Sequence, residues 1–341
     1  GCPHILWQRN GVTPPISTVD DYVNFLVTNR FNAVRLPLNG ALINADDAVG
    51  TWGCGSYNGW RTLHILDDVL AKLEAAGIFA VLDMHTLAHP EYNQGLWCGA
   101  YASCEPYQIR EAELRTAWTT LADRYCNTRL NVLGADLFNE PFSASWGVGA
   151  AGTRWDLAAS RIGNMVLSRC PKWLIFVEGV AQNGGGYGTC APNGCWWGEN
   201  IQGQISYPVI LDDQSKLVLS PHVYGHGNHP YMRAANFPAN MPAVWWTHFA
   251  RVPSLTGTPM VLGEWGGIWN ATTWNGRSFP STSAWQTALV DFLLLQDAPG
   301  YFYWTLNDNS FRTGSLYDDY TGATPEKLAL LSRTPTTLII E

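Results

Sequence analysis

Seven short apolar runs alternate with amphipathic helical stretches along this 341-residue chain, and that alternation limits the fold more than any other feature. Residues 19–29 read as helical and lead into the run 33–38. Residues 64–76 close at Gly77, a residue type that stops helices, before the run 78–84. The helical stretch 109–125 precedes the run opening at Val132, and 155–168 precedes 173–178. Runs 217–224, 259–264 and 301–306 follow, with helical patterning near 243–251, 284–295 and 325–332. Such runs suit parallel strands covered on both faces, which need not alternate polar with apolar residues. One domain over residues 1–341 is expected, an α/β fold of the (β/α)8 TIM-barrel kind, with a doubly wound sheet as the alternative. The eighth strand is not evident. Ahead of the first helix only His4-Ile-Leu-Trp7 is apolar, so either that piece is a short first strand or the strand lies upstream of residue 1.

Composition removes several classes of function. Charged residues make up 14% of the chain and aromatic residues 13%, with 17 Trp, which excludes a disordered or fibrous protein. A formal charge of −8 argues against a nucleic-acid backbone or an anionic membrane as partner. No apolar stretch approaches the roughly 20 residues of a membrane span. No leader pattern opens the chain at Gly1, as expected of a mature or trimmed form. Eight cysteines point to an oxidising compartment and a secreted protein, although eight allow 105 connectivities. Cys190 with Cys195 and Cys98 with Cys104 each close a small loop. Cys126 and Cys170 each follow a helical pattern and would join two helix ends, leaving Cys2 and Cys54. No CxxC pair supports zinc. Asn270-Ala-Thr272 has the form of a glycosylation triplet.

The run through Val132 ends in Asn139-Glu-Pro141. Pro141 cannot donate to a ladder and is expected to hold Glu140 in extended geometry, so a carboxylate sits where the strand stops. The other runs end at Arg35, at His85, at His222 with Tyr224, at Glu264 and at Trp304. In a barrel those ends converge on one face. Two carboxylates across a cleft are what cleavage of a glycosidic bond requires. Asp83 and Asp136 lie within runs and read as buried structural acids, and Glu178 as hydrogen-bonded core. His85, His89, His222, His226 and His229 raise a metal site, but the carboxylate pair explains more, so no metal or cofactor is expected.

Taken together, Val34-Arg-Leu-Pro37, Asp83-Met-His85, Asn139-Glu-Pro141, His222-Val-Tyr224, Gly263-Glu-Trp265 and Trp304 resemble glycoside hydrolase family 5 in order and spacing. The resemblance runs across nearly the whole chain and is nearer the secreted endo-1,4-β-glucanases. Residues 134–141, Leu174-Ile-Phe-Val-Glu-Gly179, Trp196-Trp-Gly-Glu-Asn200, Tyr207-Pro-Val209 and Thr313-Gly-Ser-Leu316 are similar to segments of those cellulases. His4-Ile-Leu-Trp7 resembles the loop after that family's first strand, which implies that the strand itself is absent from the sequence.

The resemblance implies a (β/α)8 barrel and a retaining double displacement. Glu140 would be the acid/base and Glu264 the nucleophile. Arg35 would supply the positive charge that lowers the Glu264 pKa, and the Tyr224 hydroxyl would orient the same carboxylate. Asn139 would donate to the sugar 2-hydroxyl, and His85 and His222 would act as neutral hydrogen-bonding groups. Trp304 would form the floor under the sugar. Trp7, Trp197, Trp265 and Trp269, beside the cleft loops, are candidate platforms, while most other Trp are expected in the core. The implied substrate is a β-glucan polysaccharide or oligosaccharide, acted on by a monomer through a long cleft with walls from loops such as 179–215. Alternatives with the same machinery are β-mannanase, exo-β-glucosidase and glycosylceramide hydrolase; a carbohydrate-binding barrel without turnover is the alternative of another class.

Overall fold

The computed structural model describes residues 18–49, 55–87, 95–100, 102–106, 111–181, 190, 194–227, 229–270, 273–274, 277–278, 282–296, 300–307, 313–318 and 322–335. His4-Ile-Leu-Trp7, and with it Trp7, lies outside them, as do Cys2, Cys54 and His89.

Strands β1 (Ala33–Asn39), β2 (Phe79–Thr86), β3 (Val132–Asp136), β4 (Leu174–Val177) and β5 (Leu217–Leu219) form a parallel sheet in chain order. β6 (His222–Tyr224), β7 (Leu262–Gly266) and β8 (Tyr301–Tyr303) form a second parallel set. The expected strand 217–224 is therefore two pieces. Pro221 has no N–H to donate, and the ladder breaks at Ser220 and Pro221. The chain nonetheless stays in register across the break: Ser220 N donates to Val177 O, and Gly263 N donates to Pro221 O. β8 comes within 8 Å of β1, which brings the two ends of the sheet round into a barrel.

Helices α1 (Val19–Thr28), α2 (Gly40–Ala45), α3 (Thr62–Ala75), α4 (Ala112–Tyr125), α5 (Trp155–Arg169), α6 (Met241–Trp245), α7 (Val252–Thr256), α8 (Thr282–Leu295) and α9 (Pro325–Leu331) lie before, between and after the strands. Thr18 and Asp21 form a reciprocal capping box that starts α1. Gly77, at φ +70°, ends α3. The expected helix 243–251 is interrupted: a π turn, Trp246–Ala250, separates α6 from α7.

Two apolar regions hold the barrel. Between sheet and helices lies one large cluster that includes Trp118, Trp155, Trp245 and Trp285, all fully buried. Apart from it, Val81, Phe176 and Val218 pack with Leu133, Leu174, Val261 and Phe302. These come from strands around the barrel and plug its interior. β2 is buried on both faces, since Ala80, Val81 and Leu82 are all inaccessible, which is why its sequence does not alternate. Gly134 permits β3 and β4 to close up: a Cβ there would lie 2.1 Å from the Leu174 carbonyl oxygen. Disulfides Cys98–Cys104, Cys126–Cys170 and Cys190–Cys195 form as the spacing suggested, the second joining the C-caps of α4 and α5. Among the described residues no helix is long and apolar enough to cross a membrane.

Candidate active site

Above the apolar plug the inward side chains become polar, two residues further along each strand. Val81 gives way to Asp83 and His85 on β2, and Phe176 to Glu178 after β4. Val218 gives way to Ser220, His222 and Tyr224 along β5 and β6, and Phe302 to Trp304 after β8.

Arg35, on β1 and 3% exposed, sits at the centre. Its Nη1 donates to Glu264 Oε1 (2.6 Å) and its Nε to Asp136 Oδ2 (2.8 Å). Its Nη2 reaches Glu178 Oε1 (2.9 Å), Asp83 Oδ1 (3.0 Å) and Asn139 Oδ1 (3.0 Å). Burial opposes the guanidinium charge, but Asp83, Asp136, Glu264 and Glu178 outweigh it and raise the Arg35 pKa. Asp83 and Asp136 are thus buried acids, as expected. Burial and the charge of Asp83 push Asp136 up to about 6, against Arg35.

Glu140 departs from its expected extended geometry. Its φ is +46°, in the left-handed region that non-glycine residues seldom occupy. Two backbone bonds hold it there. Its N–H donates to Glu178 Oε2 (2.7 Å), and Phe142 N donates to its carbonyl (2.6 Å). The preference that Pro141 imposes is overridden, and the carboxyl turns toward Nδ1 of His222, 3.1 Å away. The same Nδ1 lies 3.5 Å from Glu264 Oε2. Facing oxygens of Glu140 and Glu264 lie within 4.8 Å of each other.

The two carboxyls are driven apart electrostatically. Burial, together with the charge of Glu264, pushes Glu140 up to about 7, although the His222 bond pulls the other way. Burial also works against ionisation of Glu264. There, however, Arg35, His85 and the Tyr224 hydroxyl bond outweigh it and hold the carboxyl below its usual range. Tyr224 Oη donates to Glu264 Oε2 at 2.6 Å. Burial and the adjacent carboxylates keep that phenol protonated, so it remains a donor.

Asn139 is buried, and its Oδ1 is committed to Arg35. A guanidinium only donates, so this bond fixes the amide and turns its NH₂ away from Arg35. The His85 ring is stacked on Trp304 at 5.4 Å with 4° between planes, and its Nδ1 is 2.7 Å from Asp83 Oδ2. Burial opposes protonation of His85, but Asp83 prevails and raises its pKa.

The Trp candidates divide. Trp197 is 40% exposed and its ring stacks on Phe142 at 4.2 Å and 21°, as a platform beside Glu140 requires. Trp265 is fully buried between the edges of Tyr301 and Tyr303 and offers no face to a sugar. Neighbouring strand residues point to opposite sides, so Glu264 facing in sends Trp265 out, a signal already present in the sequence. Trp269 is half-buried against the main core, and its carbonyl accepts from Thr282. Phe142 and Glu178 were not among the expected site residues. For Glu178 the available signal was the two-residue step from Phe176. Among the described residues three trios of side chains could offer atoms to a metal: Cys190–Cys195–His248, whose thiols are joined in a disulfide, and in this site Asp136–Glu178–His222 and Glu140–His222–Glu264, where the Arg35 guanidinium already bonds Asp136, Glu178 and Glu264.

Sequence comparison matches residues 5–310 to the cellulase family, glycosyl hydrolase family 5. The chain is 36% identical over 338 residues to an endoglucanase of Paenibacillus polymyxa, covering 97% of this chain and 78% of that protein. It is 36% identical over 337 residues to the major extracellular endoglucanase of Xanthomonas campestris pv. campestris, covering 96% of this chain and 63% of that one. Among solved structures it is similar to an endocellulase from Pyrococcus horikoshii in complex with cellotetraose. The TM-score is 0.80 at 31% identity, over 97% of this chain and 88% of that one. The catalytic domain of the Xanthomonas enzyme gives a TM-score of 0.78 at 34% identity, over 92% and 86%. The (β/α)8 barrel follows, with described residues at seven of its strand positions. With that agreement in sequence, barrel and family match, the chain belongs to the cellulase family of glycoside hydrolases, glycosyl hydrolase family 5.

Proposed function

We propose that this chain is a retaining endo-β-1,4-glucanase in which Glu140 is the acid/base and Glu264 the nucleophile. One observation carries the reading: two carboxyls with oxygens within 4.8 Å of each other, one driven toward its acid form and one toward its ionised form. Retaining pairs lie about 5–5.5 Å apart and inverting pairs about 6.5–9.5 Å, because only the latter must admit a water. Glu140, protonated at rest, gives its proton to the leaving glycosidic oxygen while Glu264 attacks the anomeric carbon and forms an ester. Glu140, now a carboxylate, takes a proton from water, which displaces Glu264 with a second inversion. Arg35 and Tyr224 hold Glu264 ionised and aimed. The Asn139 amide donates to the 2-hydroxyl, a bond that strengthens in the transition state. Trp304, braced by His85, lies under the reacting sugar, and Trp197 on Phe142 is a further platform. We read the chain as one catalytic domain, acting as a monomer on a β-glucan. Secretion fits its disulfides and the extracellular relative.

The test is assay on carboxymethyl-cellulose, glucomannan, xylan and an aryl cellobioside, with the anomer of the first product read by proton NMR. A rapid viscosity drop on carboxymethyl-cellulose and a β-anomer first product are expected. Preference for glucomannan, or an α-anomer, overturns the substrate or the mechanism respectively. Glu264→Gln abolishes turnover, and Glu140→Ala regains activity on an activated aryl glycoside when azide is added; failure of either removes that residue from its role.

A further inference from the structure

Glu178, like Asp83, is a fully enclosed carboxyl of the site, and it meets the acid/base twice. Its side chain is inaccessible to solvent. Oε2 accepts the Glu140 backbone N–H at 2.7 Å and so holds the left-handed turn. Oε1 lies 3.3 Å from Nε2 of His222, whose Nδ1 faces Glu140 Oε1 at 3.1 Å. Nε2 is buried and has no hydrogen-bond partner among the described residues. Glycines wall this contact on two sides. A Cβ at Gly198, which is at φ +75°, would lie 2.9 Å from Glu178 Oε2 and 3.1 Å from the His222 ring. A Cβ at Gly263 would lie 2.9 Å from Nε2 itself.

We propose that Glu178 is a positioning residue: it carries a proton in the resting enzyme, donates it to Nε2 of His222, and thereby fixes the His222 proton on Nδ1, pointed at Glu140 Oε1. With that oxygen already accepting a bond, the acid proton of Glu140 is left on the other oxygen, toward the cleft. The inference rests on the acid/base reading of Glu140. The charges facing Glu178 demand such a proton. From β1 comes Arg35, from β2 Asp83, from β3 Asp136, from the turn after it Glu140, from β6 His222 and from β7 Glu264. Four buried carboxyls, with the partly exposed Glu140 beside them, therefore share the Arg35 guanidinium and the His85 imidazole, and they cannot all ionise out of reach of water. Burial and the Asp136 charge raise the Glu178 pKa, against the pull of Arg35.

Nitrogen-15 NMR of imidazole-labelled wild-type enzyme at pH 6 reads the tautomer directly, with His222 assigned by its loss in His222→Asn. A neutral ring protonated on Nδ1 is expected; protonation on Nε2, or on both nitrogens, overturns the proposal. The pH profile of kcat/KM is the second readout. Glu178→Gln replaces one neutral group by another, so kcat falls severalfold as Arg35 loses an acceptor while the basic limb stays in place. A basic limb moved down by about one unit or more means that an ionised carboxylate was lost, and overturns it. Glu178→Leu frees the ring, and kcat falls about tenfold to a hundredfold with KM within about twofold; wild-type kcat overturns it. If Glu140 were not the acid/base, azide would fail to restore Glu140→Ala, whereas the His222 tautomer would still report the Glu178 contact.

Discussion

Glu264→Gln isolates the like-charge contact that separates the two carboxyls. Their facing oxygens lie within 4.8 Å, and Glu140 is pushed up to about 7 by burial first and by the Glu264 charge after it. At an effective dielectric near 20, two unit charges at this distance repel by about 3.5 kcal/mol, equivalent to about 2.5 pKa units as a ceiling. Burial persists in the variant, so a fall in the Glu140 pKa of about 1 to 2.5 units is expected. The assay is carbon-13 titration of glutamate labelled at its side-chain carboxyl, in Glu264→Gln and in wild type, with Glu140 assigned by its loss in Glu140→Gln. A Glu140 titration that stays put, or rises, refutes the argument that Glu264 keeps the acid protonated. The variant also imitates the glycosyl-enzyme, in which the ester has consumed the same charge. The fall in pKa is then what converts Glu140 from acid to base between the two half-reactions.

Four further outcomes are expected. The kcat/KM profile is bell-shaped, its basic limb set by loss of the Glu140 proton near pH 7 and its acid limb by protonation of Glu264 below the usual carboxylate range; a rate still rising well above pH 8 contradicts the pairing. Trp304→Ala removes the ring stacked on His85 and lowers kcat/KM on cellopentaose by about tenfold or more, with little change in melting temperature. Replacing Cys126 and Cys170 by Ala reopens a 44-residue separation, which chain entropy values at about 4 kcal/mol, or about 5 °C in Tm; the 6-residue Cys98–Cys104 link is worth about 2 kcal/mol, and calorimetry giving the reverse order refutes the loop-length account. Burial pushes Lys327 down to about 8 from its ordinary 10.5. Below pH 8 the folded protein therefore bears the whole cost of the buried cation, about 3 kcal/mol. Between 8 and 10.5 the unfolded chain holds more protons, so stability rises with pH. Lys327→Met should flatten that rise in urea midpoints.

Much of the barrel was legible because its strands are buried on both faces. Runs such as Ala80-Val-Leu82 could be little else, and each ended in a residue with chemistry. The convergence of Arg35, Glu140, His222, Tyr224 and Glu264 followed from strand order alone. Three features escaped for distinct reasons. The break at Ser220 and Pro221 leaves the apolar pattern of 217–224 intact, so periodicity does not register it. The turn at Glu140 is imposed by Glu178, 38 residues away in sequence, and a local rule about residues before proline cannot anticipate it. The rise in the His85 pKa comes from a buried carboxylate two residues away, against burial that composition does not reveal. Trp265 is different in kind, since the alternation that sends it outward was available beside Glu264.

The left-handed backbone at Glu140 places acid catalysis and folding under opposed selection. A glutamate at φ +46° carries a backbone penalty that glycine would not. Glu140→Gly should therefore give a dead enzyme more stable than Glu140→Ala. A descendant released from the need for turnover, keeping only its hold on sugar chains, would drift toward glycine or asparagine there. On the proposed mechanism, glutamate at that turn serves turnover at the expense of the main chain.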